Sequence, residues 1–513
     1  MLTRSTRRWL AGLGVAGAFV AASAAPAAAA DSQIKLSWYF DDTTIGAGSD
    51  GKVEYGIISA SAPAVLHDLT VRYDFSDLAG KADVTTSDEC TKPSDHELLC
   101  VSRYEVSVDE WGLAGIFPLQ FTPTAGAKEG DSGKLKTTVS ADGFDALSHE
   151  ASVRIGEGVD LAAGPAVKKS VAPGKSFTAP LTVTNAGGTT VKGTTVVFHN
   201  DYGLNAGKHF SNCTYVGDRL LTCQFKNEIP AGASFSTTLP YVLGADTYAP
   251  GSKYGELQWM TPAEFEDYQA YLDHRGVTIG EPGTDGELSL RDSGTKGVQA
   301  DTKLDNNWTS LDVEVTGKNG ADLEALGASV KGKAGDKVKA TVGVRNNGPA
   351  TLDRSRGDSP VTLLGLDVPK GTTAVGVPDT CVPANGDDWG EPGTPGRPHY
   401  ICWFDTFLKA ADKATLDFTL RIDKVIPNST GLMKINVPCA CDAGFLNDLK
   451  PANDTAKIVV NATGDGGQGG GDGGTLPITG SATGLIAGLG ALLLAAGFGG
   501  YVVARRRKTR FVA

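Results

Sequence analysis

From Phe177 to Val183, and again from Val338 to Val344, apolar residues alternate with polar or small ones. A period of two puts one set of side chains on a buried face, so both stretches are predicted as half-buried β-strands. Each ends in a turn-forming run, Asn185-Ala186-Gly187-Gly188 or Asn346-Asn347-Gly348-Pro349, where a hairpin-type turn is expected. The two stretches align without a gap at an offset of 161 residues, Gly174, Leu181, Asn185 and Gly187 answering Gly335, Val342, Asn346 and Gly348. Upstream, Asp160-Leu161 answers Asp322-Leu323. Downstream, Leu221-Thr222-Cys223-Gln224-Phe225 answers Tyr400-Ile401-Cys402-Trp403-Phe404. Each unit closes on another alternating strand, Leu311, Val313 and Val315 after Asn306-Asn307, and Ala456, Ile458 and Val460 after Asn453.

A repeat of this length marks an array of similar modules. The expected division is residues 31–156, 157–316 and 317–462. The first unit is a divergent copy that keeps the strand from His67 to Phe75, the Leu98-Leu99-Cys100 element and the closing strand from Ala151 to Ile155. The second carries an insertion near 262–274. There Thr261-Pro262-Ala263-Glu264 has the form of a capping box with proline at the first helical position, and Phe265, Tyr268 and Leu272 share one face. A short helix packed on its own module is expected.

Cys90 and Cys100 lie ten apart, as do Cys213 and Cys223, at equivalent places in two units. Each pair is read as a disulfide between neighbouring strands or a strand and its loop. The third unit has Cys381, Cys402, Cys439 and Cys441, which allow three connectivities. By analogy Cys381 pairs with Cys402, leaving Cys439 and Cys441 to close a tight ring or stay reduced.

Composition sharpens the picture. With 66 Gly, 25 Pro and 41% hydrophobic residues among 513, the chain reads as loop-rich, strand-based and globular. Its net charge of −12 argues against a surface that neutralises phosphates, so no nucleic-acid partner is expected. The basic residues at the two ends, Arg4, Arg7 and Arg8 and then Arg505, Arg506, Arg507, Lys508 and Arg510, make the middle more acidic still. Residues 1–30 have a basic start, an apolar run from Trp9 to Ala22 and Ala28-Ala29-Ala30 before Asp31, the order of a secretory signal peptide. Arg7-Arg8 leaves the export route open between the general and twin-arginine pathways. Export places the cysteines under oxidising conditions.

The other end reads Leu476-Pro477-Ile478-Thr479-Gly480, an apolar segment over 485–504, then the basic tail over 505–510. This order resembles the LPXTG sorting signal of Gram-positive cell-wall proteins and matches every fixed position of the pentapeptide. The apolar segment is long enough to halt in a bilayer, and the basic cluster holds its end at the cytoplasmic face. The resemblance implies that a sortase cysteine attacks the Thr479–Gly480 bond and that Thr479 ends as an amide on peptidoglycan. The preceding segment 463–475 is almost all glycine, a coil spanning roughly 20 Å by square-root scaling, and so a short tether. The repeats are in turn similar to the immunoglobulin-like conserved-repeat domains that occur in tandem in bacterial surface proteins. That likeness rests on the Asn-Gly turn, the Cys213 to Cys223 run, the Ile229-Pro230-Ala231-Gly232-Ala233 turn and the asparagine before the last strand. It implies an all-β chain of tandem immunoglobulin-like sandwiches between a signal peptide and a transmembrane sorting helix, secreted and anchored to the wall.

Candidate chemistry is sparse. Gly130-Asp131-Ser132-Gly133 has the form of a serine-protease nucleophile loop, but only His67 and His96 precede it in the mature chain, and it is read as a polar turn. Arg356-Gly357-Asp358-Ser359 has the form of an integrin-type tripeptide, one that arises easily by chance. Asp41-Asp42 and Asp387-Asp388 lack the alternating oxygen ligands of a calcium loop and are read as solvated acids. No metal or cofactor is expected. Trp38-Tyr39-Phe40 and Trp111 are the aromatics that would be buried or form a stacking surface. The function expected is therefore adhesive or architectural, not enzymatic, with an extracellular protein or glycan as ligand. The alternatives are a wall hydrolase with a divergent site and a ligand-free spacer.

Overall fold

The computed structural model describes residues 34–86, 90–290, 298–385, 388–437, 445 and 447–463. The segment 1–30 read as a signal peptide, Cys439 and Cys441, the pentapeptide Leu476 to Gly480 and the apolar segment after it lie outside these residues. Among the described residues no helix is long and apolar enough to cross a membrane.

The chain is all-β, three two-layer sandwiches in tandem. In the middle module a four-stranded sheet runs in the order Leu161–Ala163, Ser176–Asn185, Ser234–Leu243, Leu204–Ala206. Facing it is a longer sheet ordered Val167–Val171, Trp308–Asn319, Ala249–Met260, Val191–Asn200, Arg219–Ile229, Cys213–Val216, Glu281–Pro282. The first strand of each module breaks in two. Its first half joins the small sheet and its second half pairs in parallel with the last strand, as Val167–Val171 does with Trp308–Asn319. The first and third modules repeat this order, with Thr43–Gly46 parallel to Leu147–Val159 and Ala328–Val330 parallel to Thr455–Val460. This is the immunoglobulin-like sandwich, with an added hairpin lying against the third strand. Period-two burial underlies it. Ser132–Ser140 alternates strictly between exposed and buried positions, and its Leu135 and Val139 are in the core.

The added hairpin carries the disulfides. Cys90–Cys100, Cys213–Cys223 and Cys381–Cys402 each join residues directly opposite in one antiparallel ladder. They therefore fix the register of a hairpin and do not tie one sheet to the other.

The turns after Asn185 and Asn346 differ from the expectation. They are not hairpins, because the strands they connect belong to opposite sheets: Ser176–Asn185 pairs with Ser234–Leu243, whereas Val191–Asn200 pairs with Arg219–Ile229 and Ala249–Met260. The asparagine holds the crossover. Asn185 Nδ2 donates to the carbonyls of Thr189 and Ile229 at 2.7 and 2.8 Å, and its Oδ1 accepts from Gly187 N–H at 3.0 Å. Asn346 makes the same set with Ala350, Leu408 and Gly348.

The modules meet almost without linkers. Leu147–Val159 is separated from Leu161–Ala163 by Asp160 alone, and Trp308–Asn319 from Leu323–Leu326 by Gly320, Ala321 and Asp322. Asp160 is buried, bonded by Asn306 Nδ2 at 2.9 Å and paired with Lys303 at 2.8 Å. Asp322 repeats this with Asn453 and Lys450 at 2.8 and 2.7 Å. At the second junction Lys253 and Asp353, both nearly enclosed, pair at 2.8 Å, and Tyr202 donates to Asp246, which also accepts from Thr351.

Candidate functional site

The insertion helix α1, Pro262–His274, marks the richest junction. Its start is the capping box read from sequence: Thr261 Oγ1 accepts from Glu264 N–H, and Glu264 Oε2 accepts from Thr261 N–H at 2.9 Å. It does not pack on its own module alone. One side lies on the middle module, and the other meets Thr43–Gly46 of the first. Sandwiched in this way it buries Phe265 and Leu272 and also the carboxylates of Glu264 and Asp267.

The buried charges are the lock. Arg154 of the first module donates to Asp267 at 2.6 Å, to Glu266 at 3.3 Å and to the Ala263 carbonyl at 3.2 Å. Thr44 Oγ1 donates to the other Asp267 oxygen at 2.7 Å. At the far end of the helix His274 stacks on Tyr39 with ring centres 4.1 Å apart, and Arg275 donates to the Trp111 carbonyl at 2.6 Å. A strand joins them: Gln299–Asp301 of the middle module pairs in parallel with Glu157, Gly158 and Val159 at the end of the first module's last strand.

Beside these contacts lies a half-open cavity of about 270 Å³. Asp41, Asp42, Lys52 and Glu54 line it from the first module, and Glu264 and Asp267 from α1. Met260, Tyr268, Tyr271 and Leu304 supply its less polar wall. Lys52 pairs with Glu54 at 2.8 Å, and Glu54 also accepts from Thr43 Oγ1. Burial disfavours the Lys52 ammonium, but Glu54 and Glu264 outweigh it and strengthen its hold on the proton. Burial, reinforced by Glu54, pushes the Asp41 carboxyl well above the usual carboxylate range. Glu264 and Asp267 are raised by burial and partly restored by their donors. Asp301, next to the cavity's Glu264, is pushed up to about 7 by burial and then by Glu264 itself. Burial, His149 and Arg275 lower His274.

The residues singled out from sequence are distributed as follows. Trp38 and Phe40 point into the core of the first module, where Trp38 Nε1 donates to Thr137 at 2.8 Å and its ring lies over Gly56. Tyr39 faces the other way, as strand alternation requires, and is buried by α1. Trp111 stays 42% exposed. Asp41 and Asp42 are not solvated loop acids but walls of the junction cavity. The side chains of Asp387 and Asp388 lie outside the description. Ser132 begins a strand, with His67 paired to Glu105 and His96 set edge-on to Phe75, so no triad forms there. Arg356 of the Arg-Gly-Asp run is pinned to Asp201 of the middle module and lies 4.5 Å over the Tyr254 ring, which makes the tripeptide part of the second junction. Among the described residues no three Asp, Glu, His or Cys side chains come together as a metal site. Nothing in the local residue pattern points directly to the cavity. The one available clue was a capped helix inserted into a repeat that otherwise lacks helices.

No family model and no curated protein matches this chain. Similar solved structures include a Corynebacterium diphtheriae protein described as membrane anchored, 12% identical over 84% of this chain and 92% of that one, with a TM-score of 0.19. The complex of Dpr2 Ig1-Ig2 with DIP-Theta Ig1-Ig3 is 8% identical over 84% of this chain and 99% of its own, TM-score 0.19. The I9-I11 tandem from titin is 9% identical over 84% and 99%, TM-score 0.14. Likeness at this level carries no argument about role or arrangement. The strand order alone identifies the chain as a tandem of immunoglobulin-like sandwiches.

Proposed function

We propose that the chain is a non-catalytic surface protein, exported, cleaved by a sortase between Thr479 and Gly480, and held by Thr479 on peptidoglycan as an adhesive or architectural arm. The observation that carries the reading is the locking of both junctions: strand addition and the Arg154–Asp267 pair at one, Lys253–Asp353 and Arg356–Asp201 at the other. Sandwiches interlocked in this way resist separation at their junctions, which suits a spacer or a bearer of contacts. Fixing the chain by its C-terminus puts the first module and the first junction outermost. The test is mass spectrometry of muropeptides from digested walls. Fragments ending in Thr479 joined to a cross-bridge amine are expected. Recovery of the chain with its basic tail intact overturns the anchoring.

A further inference from the structure

Four of the five carboxylates around the junction cavity are satisfied by the protein. Asp42 accepts from Ser152 N–H, Glu54 from Lys52 and Thr43, Glu264 from Thr261 and Asp301 N–H, and Asp267 from Thr44 and Arg154. Asp41 is the exception. It is partly buried, it lines the cavity, and its Oδ1 is shut off from solvent and accepts no hydrogen bond. A shielded acceptor of this kind is costly unless a donor meets it, and the cavity's own cation, Lys52, acts on Asp41 through its charge but makes its close pair with Glu54. Met260, Tyr268, Tyr271 and Leu304 also line the cavity, surfaces suited to hydrocarbon and to the flank of a cation.

The two halves ask for one group. A primary ammonium brings a compact charge with three N–H donors, and a short aliphatic stem lies along the tyrosines and methionine. The cavity of about 270 Å³ is several times the ~30 Å³ share of a water molecule, room for a chain of four or five carbons. A divalent metal fits less well, since no three ligating side chains among the described residues converge. The geometry points to a binding site for a primary alkylammonium ligand at the junction of the first two modules, with Asp41 as its charge partner. The group comes either from a free diamine or from a lysine-type side chain of a peptide. This goes beyond the wall-anchoring reading and does not depend on it.

The experiment is calorimetric titration of the purified full chain with cadaverine, with Nα-acetyl-lysine methylamide, and with tetramethylammonium and calcium chlorides at matched ionic strength. Saturable binding of one or both ammonium probes at one site is expected, and the tighter of the two identifies the source. Asp41→Asn is expected to weaken that binding at least tenfold while the far-ultraviolet circular dichroism is unchanged. If Asp41→Asn does not fold, Leu304→Trp, which fills the cavity from its apolar wall, takes its place with the same expected loss. Equal heats from tetramethylammonium, preference for calcium, no saturable binding, or full binding by the variant each overturn the site.

Discussion

At the scale of single residues, the repeat is maintained by a few buried polar side chains whose bonds are all made. Asn185 and Asn346 are fully buried and each satisfies backbone groups where the chain crosses from one sheet to the other. Removing the amide strands carbonyls that water cannot reach, and a buried unsatisfied acceptor costs about 1 to 3 kcal/mol. Asn185→Ala and Asn346→Ala are each expected to destabilise their own module by about 3 kcal/mol. The two sites sit in different modules without shared partners, so the losses should add in the double variant. Urea unfolding followed by tryptophan fluorescence checks both points. A loss below 1 kcal/mol, or a loss shared equally by the two modules, would show that the crossover does not depend on the side chain. The asparagine was legible in sequence as a turn residue, but its reach to Ile229 or Leu408 was not, because those partners arrive from distant strands.

At the scale of elements, α1 serves as a wedge between two sandwiches. Asp267 is 5% exposed and its charge is balanced by Arg154. Breaking a buried pair from one side leaves an uncompensated charge and costs about 3 to 5 kcal/mol, far more than an exposed pair. Arg154→Met, which keeps the length of the stem, is expected to release the helix while each sandwich stays folded. Limited proteolysis reads this as new cleavage within 261–301 with unchanged disulfides, and a protected segment would show that strand pairing alone secures the junction. How elements appear in sequence follows from the same physics. Strand periodicity and the Thr261–Glu264 capping box are local, and both were legible. What a strand or helix faces is non-local. Alternation cannot say which sheet receives Val191–Asn200, and the apolar face of α1 cannot say that a second module covers its other side. Asp41 and Asp42 looked solvated for the same reason, since the helix that encloses them lies more than 200 residues along the chain.

At the scale of the whole molecule, the two junctions use different chemistry and respond differently to acid. The carboxyls of the first junction, Asp41, Glu264, Asp267 and Asp301, are held above their ordinary values by burial, so protonation does not work against their folded placement. Asp353 at the second junction is the reverse case. Burial disfavours its charge, but Lys253 and Ser355 outweigh burial and hold its carboxyl below 3.8. A depressed carboxyl contributes stability that is present above its unfolded value and lost as pH falls through the folded one. As pH falls through that lowered value Asp353 therefore gives up its pair, and Lys253, only 11% exposed, is left with a charge that the junction cannot solvate. Small-angle scattering between pH 7 and pH 3 is expected to show the maximum dimension broadening as the third module swings free. Asp353→Asn should already show the broadened profile at pH 7 and little further change on acidification. Unchanged dimensions in the variant at neutral pH would mean that Arg356–Asp201 and the Tyr202–Asp246–Thr351 bonds secure the second junction without the buried pair. Such acid sensitivity would lie at the junction nearer the C-terminus, so that loosening it frees the first two modules as a single body joined through α1.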